Sequence, residues 1–345
     1  MRDYEQVVMA HGSGGALMRE LIDGFFESYA ADELKAGDDS ATVCLTDPVT
    51  NLAFTTDSYV VTPYFFPGGD IGRLAVAGTV NDLSTSGATP VCLSVAFILE
   101  EGLPLTDLQT ICESIALTAD EARVKIVTGD TKVVPRGNGD GIYINTAGIG
   151  VFGNQLGNQR PLSGRDCQPG DKILLSGTLG DHGIAIIKAR EGLSFTSSII
   201  SDVAPLNQMV ARVLAAAPST RCFRDPTRGG LASTINELAT QSHTTMTIDE
   251  AAIPVQPAVQ GAAEMLGFDI YQIANEGKMV AVVPPHEAEV ALAAMQADPH
   301  GIKAAIIGEV GMGLSTGIPV AWVRTAFGAT RVLDMLVGEQ LPRIC

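Results

Sequence analysis

Five stretches of this chain set aspartate beside glycine or a small polar residue near a β-rich run. They are AGDDSATV (36–43), TTDSYV (55–60), VNDLSTSG (80–87), TGDTKVV (128–134) and RDPTRGG (224–230). Aspartate favours turns and helix N-caps, and any one of the five can be read that way, Asp225 above all. Five together, in a chain only 18% charged, are harder to assign to turns alone. Hard divalent cations take carboxylate oxygens, and Mg²⁺ commonly joins one or two carboxylates to substrate phosphates. The pattern therefore predicts an aspartate–Mg²⁺–ATP site. The second chemical feature is the last residue: the sequence closes on LPRIC (341–345), whose thiol is expected to be exposed and outside any core. A free thiolate is a nucleophile and a carrier of acyl-type groups.

The common nucleotide motifs are missing. HGSGGAL (11–17) has Leu17 where a dinucleotide fingerprint needs its last small residue, and no strand signal precedes it closely. In NEGKM (275–279) Met279 stands where a P-loop needs Ser or Thr, and Gln272 where it needs glycine. A net charge of −17 argues against nucleic acid or an anionic membrane as partner. It also means that a bound triphosphate needs metal ions to offset the local field.

The elements that must position these residues alternate along the chain. A helix is expected over 14–29, strands over 51–61 and 91–99, and between them a small-residue helix over 71–87 lying close to a sheet. Ile111, Ile115, Ala119 and Ala122 form one stripe of a helix over 105–123, with strands following at 125–134 and 141–152. The polar stretch 153–171 reads as a domain boundary. Beyond it strands are expected at 172–176, 244–249, 278–283 and 303–307, and helices at 181–190, 206–217, 229–241, 257–267 and 287–298. After about Ala326 little pattern remains.

At 345 residues the chain is longer than one core usually holds. The start Met-Arg-Asp-Tyr-Glu-Gln lacks the features of a signal peptide, and no apolar run approaches the roughly 18 residues of a spanning helix. The six cysteines (44, 92, 112, 167, 222 and 345) show no CxxC pairing, and five sit in apolar surroundings. The expectation is a cytoplasmic protein with separate thiols.

HGSGG, TTDSYVVTPYFFPGGDIGRLAVAGTVNDLSTSGATP, FILEEGLP, VTGDTKVV, INTAG, SGTLGDHG, RDPTRGG, NEGK and the terminal PRIC, in that order, carry a resemblance that runs from His11 to Cys345. Together they resemble the HypE family of hydrogenase maturation factors. These are carbamoyl dehydratases of the aminoimidazole ribonucleotide synthetase and selenophosphate synthetase superfamily. The resemblance implies a two-domain fold of α/β and α+β parts. An ATP-binding N-terminal sheet domain (1–155) would form the core of a homodimer. A C-terminal α+β domain (156–326) would follow, and then a mobile tail (327–345) bearing the cysteine. ATP would lie between the domains, with Asp39 (or its neighbour Asp38), Asp57, Asp82, Asp130 and Asp225 around Mg²⁺ and the phosphates.

In such a family the carbamoyltransferase HypF loads a carbamoyl group onto Cys345. ATP activates its oxygen, phosphate departs, and a thiocyanate is left for a HypC–HypD acceptor. The resemblance assigns Lys132 and Glu276 to charge stabilisation and proton removal. Position alone would make Lys132 a surface lysine at a strand edge and Glu276 a solvated loop residue. It also implies that His11 and His182 contact phosphate or the tail, that Pro342 stiffens the tail's approach and that Arg343 pairs with carboxylate or phosphate. Two other readings remain. Selenophosphate synthetases usually present a Cys or Sec with Lys near the N-terminus, which HGSGGALMRE does not contain. A non-catalytic thiol carrier would bind nucleotide without turnover.

Overall fold

The structure is a computed structural model that describes residues 5–12, 21, 24–25, 28–29, 51–152, 161–193, 198–314, 320–335 and 344–345. Most of the helix expected over 14–29 lies outside the described residues, as do Asp38, Asp39, Cys44, Pro342 and Arg343.

The first half runs β1 (Leu52–Tyr59), a short hairpin β2 (Phe65–Phe66) and β3 (Gly69–Asp70), α1 (Ile71–Thr85), β4 (Thr89–Glu100), α2 (Leu105–Ala122), β5 (Lys125–Val134) and β6 (Ile142–Val151). Its sheet has the order β1-β6-β4-β5, with only β4 and β5 parallel. The expected stripe on α2 is buried, from Ile111 to Ala122. Helix α1 starts where the Asp70 carboxylate accepts from the N–H groups of Gly72 and Arg73, at 2.7 and 3.0 Å. It lies close to the sheet, as its small residues predict: a Cβ on Gly78 would collide with the Tyr59 hydroxyl. Both helices cover one face. The other face carries Phe54, 72% exposed, with Thr56, Ser58, Ile98 and Asn145 also exposed, and no layer among the described residues covers it.

The second half runs β7 (Lys172–Leu175), α3 (Asp181–Glu191), α4 (Asn207–Ala216), β8 (Cys222–Arg224), α5 (Gly230–Ser242), β9 (Thr245–Asp249), α6 (Pro257–Leu266), β10 (Val280–Val283), α7 (Ala288–Gln296), β11 (Ala305–Gly311), β12 (Val320–Arg324) and β13 (Thr330–Val332). These strands form a sheet of order β13-β12-β9-β11-β7-β10-β8. Unlike the first sheet it is packed on both sides. Val280 and Val282 join one apolar cluster with α5, while Ala281 and Val283 join another with α4 and α7. The stretch after Ala326 has more order than its composition suggests. Strand β13 pairs antiparallel with β12, and Leu333 is buried. Backbone pairing supplies there what side-chain periodicity does not announce.

Helix α1 also touches the second half. The Asn81 amide donates to the Ala204 carbonyl at 3.0 Å and accepts from Leu206 N–H at 2.7 Å. Arg73 Nε donates to the Val203 carbonyl at 3.0 Å. The residue after Asn81 is Asp82, so the aspartate of VNDLSTSG stands at the seam between the halves.

Candidate active site

Three sequence-distant pieces meet at this seam. On β1, Thr55, Asp57 and Tyr59 share the helix-covered face because strand side chains alternate. The Thr55 hydroxyl donates to Oδ2 of Asp82 on α1 at 3.1 Å. Asp225 follows β8 directly, and its neighbour Pro226 offers a carbonyl to the side-chain amide of Asn275 at 3.0 Å. That contact brings the loop carrying Glu276 to the aspartates. A cavity of about 470 Å³ opens alongside, its lining including Thr55, Asp82, Arg224 and Asp225 together with Leu52 and Phe152. A mixed polar and apolar lining of this volume suits a nucleotide-sized ligand.

The electrostatics record the crowding. Burial, then the neighbouring Asp225, pushes the Asp82 carboxyl up to about 7, with Thr55 and Arg224 opposing. Asp225 is raised by burial and by Asp57. Glu276 is buried and is raised well above the usual carboxylate range by burial and by Asp225, Asp202, Asp57 and Asp82. Its Oε1 is buried and has no hydrogen-bond partner among the described residues. Carboxylates gathered this closely hold protons unless a cation replaces them. Among the described residues no three His, Cys, Asp or Glu side chains form a closed metal cage. Asp57, Asp82 and Asp225 are brought near one another, each contributing to the charge felt by Glu276. Asp39 lies outside the described residues.

The end of the chain reaches the same place. Ile344 is buried, and Cys345 is half-buried against the first-half core. The Cys345 main-chain oxygen accepts from Val60 N–H at 3.1 Å. Burial and the Glu276 carboxylate push the Cys345 thiol well up from its ordinary value, with Arg228 opposing. The expectation of an exposed thiol outside any core is corrected here, because the apolar Ile344 draws its neighbour inward. The same holds for Glu276, a buried group and no solvated loop residue.

His182 is fully buried and contacts the tail: its Nε2 lies 2.6 Å from the Ile344 carbonyl oxygen. His11 is buried beside the first sheet, where its Nδ1 accepts from Val8 N–H at 3.2 Å. Asp130 and Lys132 stand apart from the cluster. They lie on β5, three strand spacings from β1, or about 14 Å. Both are exposed on the uncovered face and pair with one another.

Two residues escaped the sequence reading. Asp202 accepts from the Glu276 N–H at 3.2 Å, and Lys278 Nζ lies 3.4 Å from Asp202 and 3.8 Å from Asp181. Lys278 falls in the NEGK segment, but its partners sit far away in sequence. No helix among the described residues is long and apolar enough to cross a membrane.

The fold and the site together define a class. Residues 37–152 match the AIR synthase related protein, N-terminal domain, and residues 168–318 match the corresponding C-terminal domain. Carbamoyl dehydratase HypE of Azotobacter vinelandii is 51% identical over 340 residues, covering 98% of this chain and 97% of that protein. A crystal structure of hydrogenase maturation protein HypE in complex with ATP superposes with a TM-score of 0.92 at 45% identity, covering 98% and 99% of the two chains. HypE in a HypE–HypF complex gives a TM-score of 0.79 at 44% identity, covering 93% and 100%. The chain belongs to the HypE family of carbamoyl dehydratases.

Proposed function

We propose that this protein dehydrates a carbamoyl group carried as S-carboxamide on Cys345, using ATP and leaving a protein thiocyanate that supplies cyanide for nickel–iron hydrogenase. The observation that carries the reading is the seat of Cys345: it is half-buried against the first-half core, near enough to Glu276, Asp57 and Asp225 for their carboxylates to raise its thiol.

The carbamoyl oxygen attacks the γ-phosphorus of ATP, forming a C–O–P linkage, and the bond to ADP breaks. Loss of both N–H protons and departure of phosphate then turn S–C(=O)–NH₂ into S–C≡N. Glu276 is the base, since its buried Oε1 has no hydrogen-bond partner among the described residues and is left to take up a proton from nitrogen. Asp57, Asp82 and Asp225 would hold Mg²⁺, which supplies neutralisation of phosphate charge. The sulfur keeps the carbon attached throughout.

Asp130 and Lys132 belong to the site only if a second copy delivers them, because within one copy they lie across the sheet from Asp57. The uncovered face bearing Phe54 and Ile98 is a suitable homodimer surface. On this reading residues 1–155 bind ATP and dimerise and 156–326 close the cleft; of the tail expected over 327–345, Thr330–Val332 stay in the second sheet as β13, so only the part beyond Leu333 swings between this seat and a partner. HypF as donor is supported by the HypE–HypF structure of a relative. A HypC–HypD acceptor and a cytoplasmic setting complete the proposal.

Intact mass of the protein incubated with carbamoyltransferase and carbamoyl phosphate, before and after Mg-ATP, tests this. Gain of one carbamoyl group followed by ATP-dependent loss of one water, both absent in Cys345→Ala, is the expected result. A stable adduct that never loses water would leave a thiol carrier. No adduct at all would point to another synthetase of the superfamily.

A further inference from the structure

We infer that His182 is the positioning residue that seats the terminal thiol, acting through the Ile344 carbonyl; the inference rests on the proposed role of Cys345. His182 is the second residue of α3 and is fully buried. Its Nε2 meets the Ile344 carbonyl oxygen at 2.6 Å, and its Nδ1 lies 2.8 Å from the Ser201 hydroxyl. A carbonyl only accepts, so Nε2 carries the proton and Nδ1 accepts from Ser201. The Ser201 oxygen in turn accepts from Val203 N–H at 3.1 Å, and Ser201 N–H donates to the Pro67 carbonyl at 2.7 Å. The ring also packs edge-on against Phe66, with centroids 5.5 Å apart. One tautomer and one ring orientation are thereby selected.

The tail is held at two further points. Val60 N–H donates to the Cys345 main-chain oxygen, and the Ile344 side chain is buried in a cluster that includes Ile186, Val203 and Ala274. None of these three anchors involves sulfur. The seat therefore holds the main chain in one register and leaves Sγ available to carry a group. Through this arrangement His182 sets where a group on Cys345 lies relative to Glu276, without touching that group itself.

The test is the alkylation rate of Cys345 by iodoacetamide, followed by mass spectrometry in the absence of ATP and carbamoyl donor. The seated thiol is half-buried, so release of the tail raises its modification rate. Losing the buried hydrogen bond in His182→Leu should raise the Cys345 rate roughly tenfold. His182→Gln offers an N–H close to the Nε2 position and should stay within about twofold of wild type. His182→Asn places its N–H near Nδ1 and should label as fast as the leucine variant. The buried thiols of Cys92, Cys112, Cys167 and Cys222 report any general loosening in the same spectrum. If His182→Leu unfolds, the comparison of Gln with Asn decides, since both keep a polar amide. Equal rates in Gln and Asn, or an unchanged rate in a folded His182→Leu protein, would overturn the inference. Because labelling needs no turnover, a protein that labels as described but never loses water keeps the seat and loses the dehydratase reading.

Discussion

The main-chain N–H of Glu276 donates to Oδ1 of Asp202 at 3.2 Å, across 74 residues of sequence. The other oxygen of that carboxylate faces Lys278, two positions after Glu276, at 3.4 Å. One side chain therefore ties the NEGK loop on both sides of Gly277. At Gly277 there is no room for more, because a Cβ would run into the Asp202 carbonyl.

Removing that tie should be costly. Asp202→Ala leaves Lys278, nearly buried, with Asp181 at 3.8 Å as its one carboxylate among the described residues, and stripping one partner from a buried ion pair costs about 3 kcal/mol. Urea unfolding should show that loss, and Asp202→Asn a smaller one. A variant as stable as wild type would mean that Lys278 draws its compensation from elsewhere.

Asp82 should trade stability for binding. Its carboxyl rises from 3.8 to about 7 on folding, so its contribution is full below about pH 4 and is lost as pH climbs through about 7. In metal-free protein at pH 8, Asp82→Asn should therefore be more stable than wild type, by about 2 kcal/mol after allowance for partial solvent screening. The same variant should bind Mg-ATP more weakly. Thermal melts at pH 5 and 8 in chelator, with calorimetric titration, check both; a lower melting temperature for the variant at pH 8 refutes the charge argument.

Glu276→Gln keeps shape and removes the base. Carbamoylation of Cys345 should proceed while loss of water slows by about 10³-fold, within the range for a positioned general base. Because the native carboxyl is raised by burial and four neighbouring carboxylates, the variant should melt no lower than wild type. Rapid loss of water from loaded Glu276→Gln, followed by intact mass, would exclude Glu276 as the base.

A site shared between two copies predicts complementation. Lys132→Ala and Glu276→Gln should each be inactive alone. After dissociation and random mixing, half the dimers are hybrids with one intact site in two, so about a quarter of wild-type activity should return. If mixing restores nothing, Lys132 does not act across the interface.

Much of this was legible in one dimension. The stripe of Ile111, Ile115, Ala119 and Ala122 marks α2, and strand signals at 51–61 and 125–134 find β1 and β5 closely. The aspartate segments and LPRIC stand out by residue type and spacing. Strands β8, β12 and β13 do not, since three to five residues carry too little period and their pairing comes from distant backbone. Within the site, His182 meets Ile344 across 162 residues and Asp202 meets Glu276 across 74. By itself the sequence determined the local elements, the inventory of carboxylates and the thiol at the end, because propensity, periodicity and residue chemistry act over a few residues. Only the tertiary structure decided that Glu276 is buried with Oε1 unpartnered among the described residues, that Cys345 is drawn against the first-half core, and that Asp130 and Lys132 lie across the sheet. Burial and charge coupling depend on which surfaces pack together, and that is a property of the whole fold.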